Sequence, residues 1–83
     1  MTQADFMVWA KQTVRQYAIS RGTPLYDDDV FIVWYCKTLQ NHKALLGTTL
    51  NDMKYYEFTY NGDKEEAYLD VYTKWENVKY DRP

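Results

Sequence analysis

The chain has 83 residues, enough for one domain, and a domain of that size buries only about 60% of the surface its unfolded chain exposes. A hydrophobic share of 46% excludes a disordered chain, and a net charge of −2 is too mild for a dense acidic mimic of nucleic acid. The single cysteine, Cys36, allows no internal disulfide and suits a reducing cytosol, while the longest apolar run, Val30 to Cys36, is far short of the ~18 residues of a membrane span.

Charge is unevenly spread. Residues 1–22 carry Lys11, Arg15 and Arg21 against Asp5, whereas residues 23–83 hold 7 basic and 11 acidic side chains. An acidic second part is a poor surface for phosphate backbones, which are gripped by Lys and Arg. The first residues lack the basic-then-apolar pattern of a secretory signal.

The spacing predicts a helix over residues 3–21. Thr2 is placed to cap it, and Phe6, Ala10, Val14, Tyr17 and Ala18 fall on one stripe, with Met7 beside them. Gly22 and Pro24 end it. A polar connection, including Asp27, Asp28 and Asp29, leads into a strand predicted over 30–39. That strand is apolar on both faces, with Val30, Ile32, Trp34 and Cys36 on one and Phe31, Val33 and Tyr35 on the other. A turn at Gln40, Asn41 and His42 leads to strands at 43–50 and 53–60. Gly47 is expected across from Tyr56, leaving room for its ring. Asn61-Gly62-Asp63-Lys64 signals a hairpin into a last strand over 65–73.

Alternation tests the last hairpin, because a one-residue slip turns every side chain to the other face. A four-residue loop over Asn61–Lys64 sets Phe58 opposite Ala67, Tyr56 opposite Leu69 and Lys54 opposite Val71. It gathers Tyr55, Glu57, Tyr68 and Asp70 on the other face. The fold class is thus α+β: an N-terminal helix packed on one face of a four-stranded antiparallel β-meander. The alternative is three strands with a C-terminal helix at about 67–79, since Tyr68, Val71, Tyr72, Trp75 and Val78 also match helical spacing.

Catalytic and metal chemistry find little footing. Adjacent aspartates at 27–29 cannot all point one way in an extended chain, and no calcium-loop spacing follows. Cys36 is expected in the core and His42, the only histidine, in an exposed turn, so they make no thiol–imidazole dyad. Glu57 and Asp70 on an open sheet read as solvated carboxylates. We therefore expect no enzyme, no cofactor and no metal site.

The aromatic residues are more informative. One helix covers only one face of a sheet, so Phe31, Val33, Tyr35, Tyr55, Tyr68 and Tyr72 are expected on an uncovered face. Such patches mark contacts, and the expected partner is another protein or a second copy of the chain through that face. Sheet aromatics also stack bases in single-stranded nucleic-acid binders; this is the alternative, and the acidic side chains among the tyrosines count against it.

Three stretches carry a family likeness: Val33-Trp34-Tyr35-Cys36-Lys37-Thr38-Leu39-Gln40-Asn41 with Lys43-Ala44-Leu45-Leu46, then Tyr56-Glu57-Phe58-Thr59-Tyr60-Asn61-Gly62-Asp63-Lys64, then Tyr68-Leu69-Asp70-Val71-Tyr72 with Lys74. Over roughly residues 30–78 the chain resembles a family of small uncharacterised proteins encoded by phages and prophages of Gram-positive bacteria. The resemblance implies a phage accessory protein in a bacterial host's cytoplasm, and no mechanism.

Overall fold

The computed structural model describes all residues, 1–83. Helix α1 spans Gln3–Ser20, and a short 3-10 turn covers Asp27–Asp29. Four strands follow: β1 Val30–Thr38, β2 Asn41–Thr48, β3 Lys54–Asn61 and β4 Glu66–Thr73. They form one antiparallel sheet in the order β1-β2-β3-β4, the predicted helix-plus-meander. Residues 74–83 add no helix or strand, so the alternative C-terminal helix is absent.

The helix forms where its caps and stripe dictate. Thr2 Oγ1 accepts a hydrogen bond from the Asp5 N–H at 3.1 Å, satisfying one of the unpaired donors of the first turn. At the other end Gly22 takes φ 86°, and the Thr23 N–H returns to the Ala18 carbonyl at 2.9 Å. Phe6, Ala10, Val14 and Ala18 are buried. Two alanines in that stripe let the helix lie close on β1 and β2, while Trp9 and Tyr17 reach out to Phe58, Tyr60 and Tyr56. Leu25, Val30, Ala44, Leu46, Tyr56 and Phe58 complete the core.

The connection between helix and sheet is fixed by the acidic triplet. Asp29 accepts from the Tyr26 N–H and from the Thr49 hydroxyl, both at 2.9 Å, and these bonds hold its carboxyl below the usual range. Asp27 faces Arg15 at 3.7 Å, and the Arg15 guanidinium also donates to the Leu25 carbonyl.

The structure corrects the phase of β1. Its pairing with β2 slips between Ile32 and Trp34, a bulge that leaves Val33 as the extra residue. Val30 and Ile32 face the helix as expected. Beyond the bulge the alternation reverses, so Tyr35 turns inward, and Trp34 and Cys36 turn outward and are exposed. The turn is also tighter than expected. Thr38 pairs with Asn41, leaving only Leu39 and Gln40 between the strands, with Leu39 at φ 56°. His42 therefore lies within β2, in phase with Ala44 and Leu46, and is buried rather than exposed.

The last hairpin has the predicted faces but not the predicted partners. Asn61 pairs with Glu66, Phe58 with Leu69, Tyr56 with Val71 and Lys54 with Thr73. The loop is Gly62–Glu65, one residue later than read from the sequence. Asn61 belongs to the strand, and its side chain accepts from the Asp63 and Lys64 N–H groups to shape the loop from outside. A two-residue change of partner preserves which side each residue faces.

Gly47 in β2 and Gly62 in the last hairpin loop serve close approach rather than unusual backbone angles. Gly47 pairs with Phe31, not Tyr56, and the Phe31 ring lies on it: an added Cβ would meet Phe31 Cζ at 2.7 Å. At Gly62 an added Cβ would clash with the Gln40 carbonyl oxygen, where the tips of the two hairpins touch. Phe31 is half exposed and its ring can swing away, whereas the Gln40 backbone is held by its own turn. Gly62→Ala is thus expected to destabilise by about 1–3 kcal/mol, and Gly47→Ala by less than about 1 kcal/mol. Chemical denaturation of the two variants side by side checks the order.

The uncovered face of the sheet as candidate functional site

The sheet sorts its side chains sharply. On the helix side, Phe6 stacks on His42 and Phe58 at centroid distances of 5.0 and 5.6 Å, and lies 5.7 Å from Tyr35. The Tyr35 hydroxyl and His42 Nδ1 are 2.5 Å apart. Burial holds the imidazole below its ordinary pKa, helped by the positive charges of Lys37 and the N-terminus, and burial raises the Tyr35 phenol. The phenol stays protonated and shares this hydrogen bond with the neutral ring. This is a satisfied polar pair inside an aromatic core, and it removes Tyr35 from the candidate surface.

The opposite face carries the remaining predicted residues. Phe31, Val33, Tyr55, Tyr68 and Tyr72 all stand on it exposed. The bulge adds Trp34, 42% exposed, which plain alternation had placed in the core. Two rows cross the four strands: Trp34, Leu45, Glu57 and Asp70 in one, Cys36, Lys43, Thr59 and Tyr68 in the next. Tyr55 and Tyr72 pair across β3 and β4 with rings stacked at 4.9 Å.

Charge on this face is mixed but leans acidic. Glu57 sits directly opposite Asp70, an unfavourable like-charge pair that the Lys43 ammonium, 3.2 Å from Glu57, relieves on one side. Asp70 has no ion-pair partner. The Glu57 and Asp70 charges and partial burial raise the Tyr72 phenol, and a hydrogen bond to Glu66 raises Tyr68. Both hydroxyls therefore remain donors at neutral pH.

A groove of about 460 Å³ closes the end of the face nearest the β2–β3 connection, between Phe31, Val33, Met53 and Tyr55, with Lys54 and Lys74 at its rim. The last residues run past it and leave Trp75, Val78 and Tyr80 exposed. No three His, Cys, Asp or Glu side chains converge as a metal-binding set, and no helix is long and apolar enough to cross a membrane.

By fold and surface this is a small α+β domain with a helix-covered sheet face and an aromatic, weakly acidic face left open. The chain belongs to a family of unknown function (DUF6275), whose sequence model matches residues 7–82. Neither the curated proteins nor the solved structures contain a significant match to it.

Proposed function

We propose that the protein is a non-enzymatic binding module that holds another protein, of phage or host, against the outer face of its sheet. We further propose that it is a phage or prophage accessory protein acting in the bacterial cytoplasm, a reading that rests on the resemblance of its three strings. The observation that carries the binding reading is the cluster of Phe31, Val33, Trp34, Tyr55, Tyr68 and Tyr72 left exposed on one side of a single-layer sheet. Aromatic side chains of this kind concentrate binding energy.

The groove beside Met53 and the exposed Trp75 extend this face beyond the strands, so a partner can seat on both. The unpaired Asp70 favours a partner that brings a Lys or Arg among its apolar side chains. The acidic residues between the tyrosines weigh against the nucleic-acid alternative.

Affinity capture from a Gram-positive host lysate tests the reading when it is run with variants. Val33→Asp and Tyr68→Asp change exposed positions and are expected to leave the melting temperature within about 3 °C. A protein held by the wild type and lost by both variants is the expected result. An unchanged set of captured proteins, or salt-dependent binding of a single-stranded oligonucleotide instead, would overturn it.

A further inference from the structure

The two edges of the sheet differ in a way that points to a second interaction. Outside the helix and strand ladders, the backbone makes only 8 hydrogen bonds, and none involves a residue of β1 or β4. Both edges are therefore without backbone partners, and unpaired strand edges are templates for added strands. β1 is guarded by its bulge at Val33 and by Lys37. β4, Glu66-Ala67-Tyr68-Leu69-Asp70-Val71-Tyr72-Thr73, has no bulge, proline, glycine or lysine and pairs with β3 without interruption.

β4 is also the strand that the fold covers least. The helix lies over β1 and β2, and no residue of β4 is fully buried. Its helix-side residues Ala67, Leu69 and Val71 pack against the core but are only partly buried. A strand open on its edge and short of cover on its apolar side lacks a neighbour.

We propose that this neighbour is the β4 of a second copy, antiparallel and centred on Leu69, so that one sheet runs through both molecules with the two helices on the same side. The sequence of β4 fits itself in that register. Leu69 meets Leu69, and each Ala67 meets Val71 of the other copy, giving an unbroken apolar row beside the helices. On the outer side Tyr68 stands opposite Asp70, and Glu66 opposite Tyr72, pairing phenol donors with carboxylates. The other registers that keep the faces matched fit less well. Centring on Asp70 puts two aspartates in contact, and centring on Tyr68 sets Asp70 against Glu66. Centring on Val71 places Leu69 opposite Thr73. The pairing is independent of the outer-face reading, but it would join two aromatic faces into one, with Tyr68 and Tyr72 of both copies at the middle.

Sedimentation velocity at high micromolar concentration, together with cysteine cross-linking, tests the proposal. The wild type is expected to sediment at twice the monomer mass, and Leu69→Lys, which would put two ammonium groups on the axis, as a monomer. In a Cys36→Ser background, Leu69→Cys is expected to give a disulfide-linked dimer on mild oxidation, because directly opposed strand residues lie within the Cα separation a disulfide spans. Tyr55→Cys, on the outer face of β3 and away from the seam, is expected to form no inter-chain disulfide under the same oxidation. A monomeric wild type, or a dimer that cross-links through Tyr55→Cys and not through Leu69→Cys, would overturn it. Cross-linking reads the folded dimer directly, so the test stands even if Leu69→Lys fails to fold.

Discussion

Phe6→Ala is expected to lower the thermal midpoint by about 15–30 °C. Phe6 is fully buried, and truncating a core phenylalanine typically costs about 3–5 kcal/mol. A domain of this length has a total stability of roughly 4–12 kcal/mol, so the loss takes a large share of the whole. The position matters as much as the burial. Phe6 is the helix ring that meets Tyr35, His42 and Phe58 together, and it therefore ties α1 to three strands. Ala10 and Ala18 cannot close in to fill the gap, because their side chains are already minimal. Phe6→Leu should recover more than half of the loss. Thermal unfolding followed by circular dichroism measures both variants; a shift of less than about 5 °C for Phe6→Ala would show that the helix is held elsewhere.

The second large effect concerns the buried Tyr35–His42 pair. Tyr35→Phe removes the hydroxyl and leaves His42 Nδ1 buried without its hydrogen-bond partner, at a cost of about 1–3 kcal/mol. Replacing both, Tyr35→Phe with His42→Phe, removes the need for the bond, and is expected to recover at least half of that loss. The same pair sets a pH dependence. His42 is held below its ordinary pKa in the folded chain, first by burial, while in the unfolded chain it titrates near about 6.5. Below that value the unfolded state binds a proton that the folded state refuses. Stability is therefore full above about pH 7 and falls as pH drops below about 6.5, with a slope of at most about 1.4 kcal/mol per pH unit. The double variant should lose this slope between about pH 7 and 5.5. Urea unfolding across that window checks it, and equal slopes in both proteins would contradict the burial of a neutral imidazole.

These two cases also show what the sequence does and does not make legible. The helix was readable because Thr2, the Phe6-to-Ala18 stripe and Gly22 all point to the same boundaries. β1 was readable as a strand but not in phase. Every residue from Val30 to Cys36 is apolar, so either phase offers an acceptable inner row, and nothing local marks Val33 as the bulge. That one extra residue moved Tyr35 inward and Trp34 and Cys36 outward. His42 is hard to place for a related reason: a lone polar residue near a turn looks exposed, and plain alternation puts its partly buried partner Tyr35 on the other face.

Which side of the sheet most of these residues face is legible in spite of the wrong partners, because of how strand geometry works. In the last hairpin the pairing differs by two residues from the expected one, and an even shift leaves every side chain on its own face. Tyr55, Tyr68 and Tyr72 were therefore placed on the open side despite the wrong partners. Phe31 and Val33 lie before or at the bulge and were also placed there. Trp34 could not have been found without knowing where the ladder slips. The edge of β4 shows the same limit: its regularity is visible in the sequence, but its lack of cover depends on where the helix comes to rest.

If the outer sheet face is the working surface, a bound partner shields its aromatic side chains. Hydroxyl-radical footprinting of the protein with and without its captured partner reads that shielding residue by residue. Trp34, Tyr55, Tyr68 and Tyr72 are expected to become protected on binding, while the buried Tyr56 and the core-facing Tyr35 stay unchanged. Protection confined to the exposed side of α1, with the four outer-face aromatics as reactive as in the free protein, would contradict it.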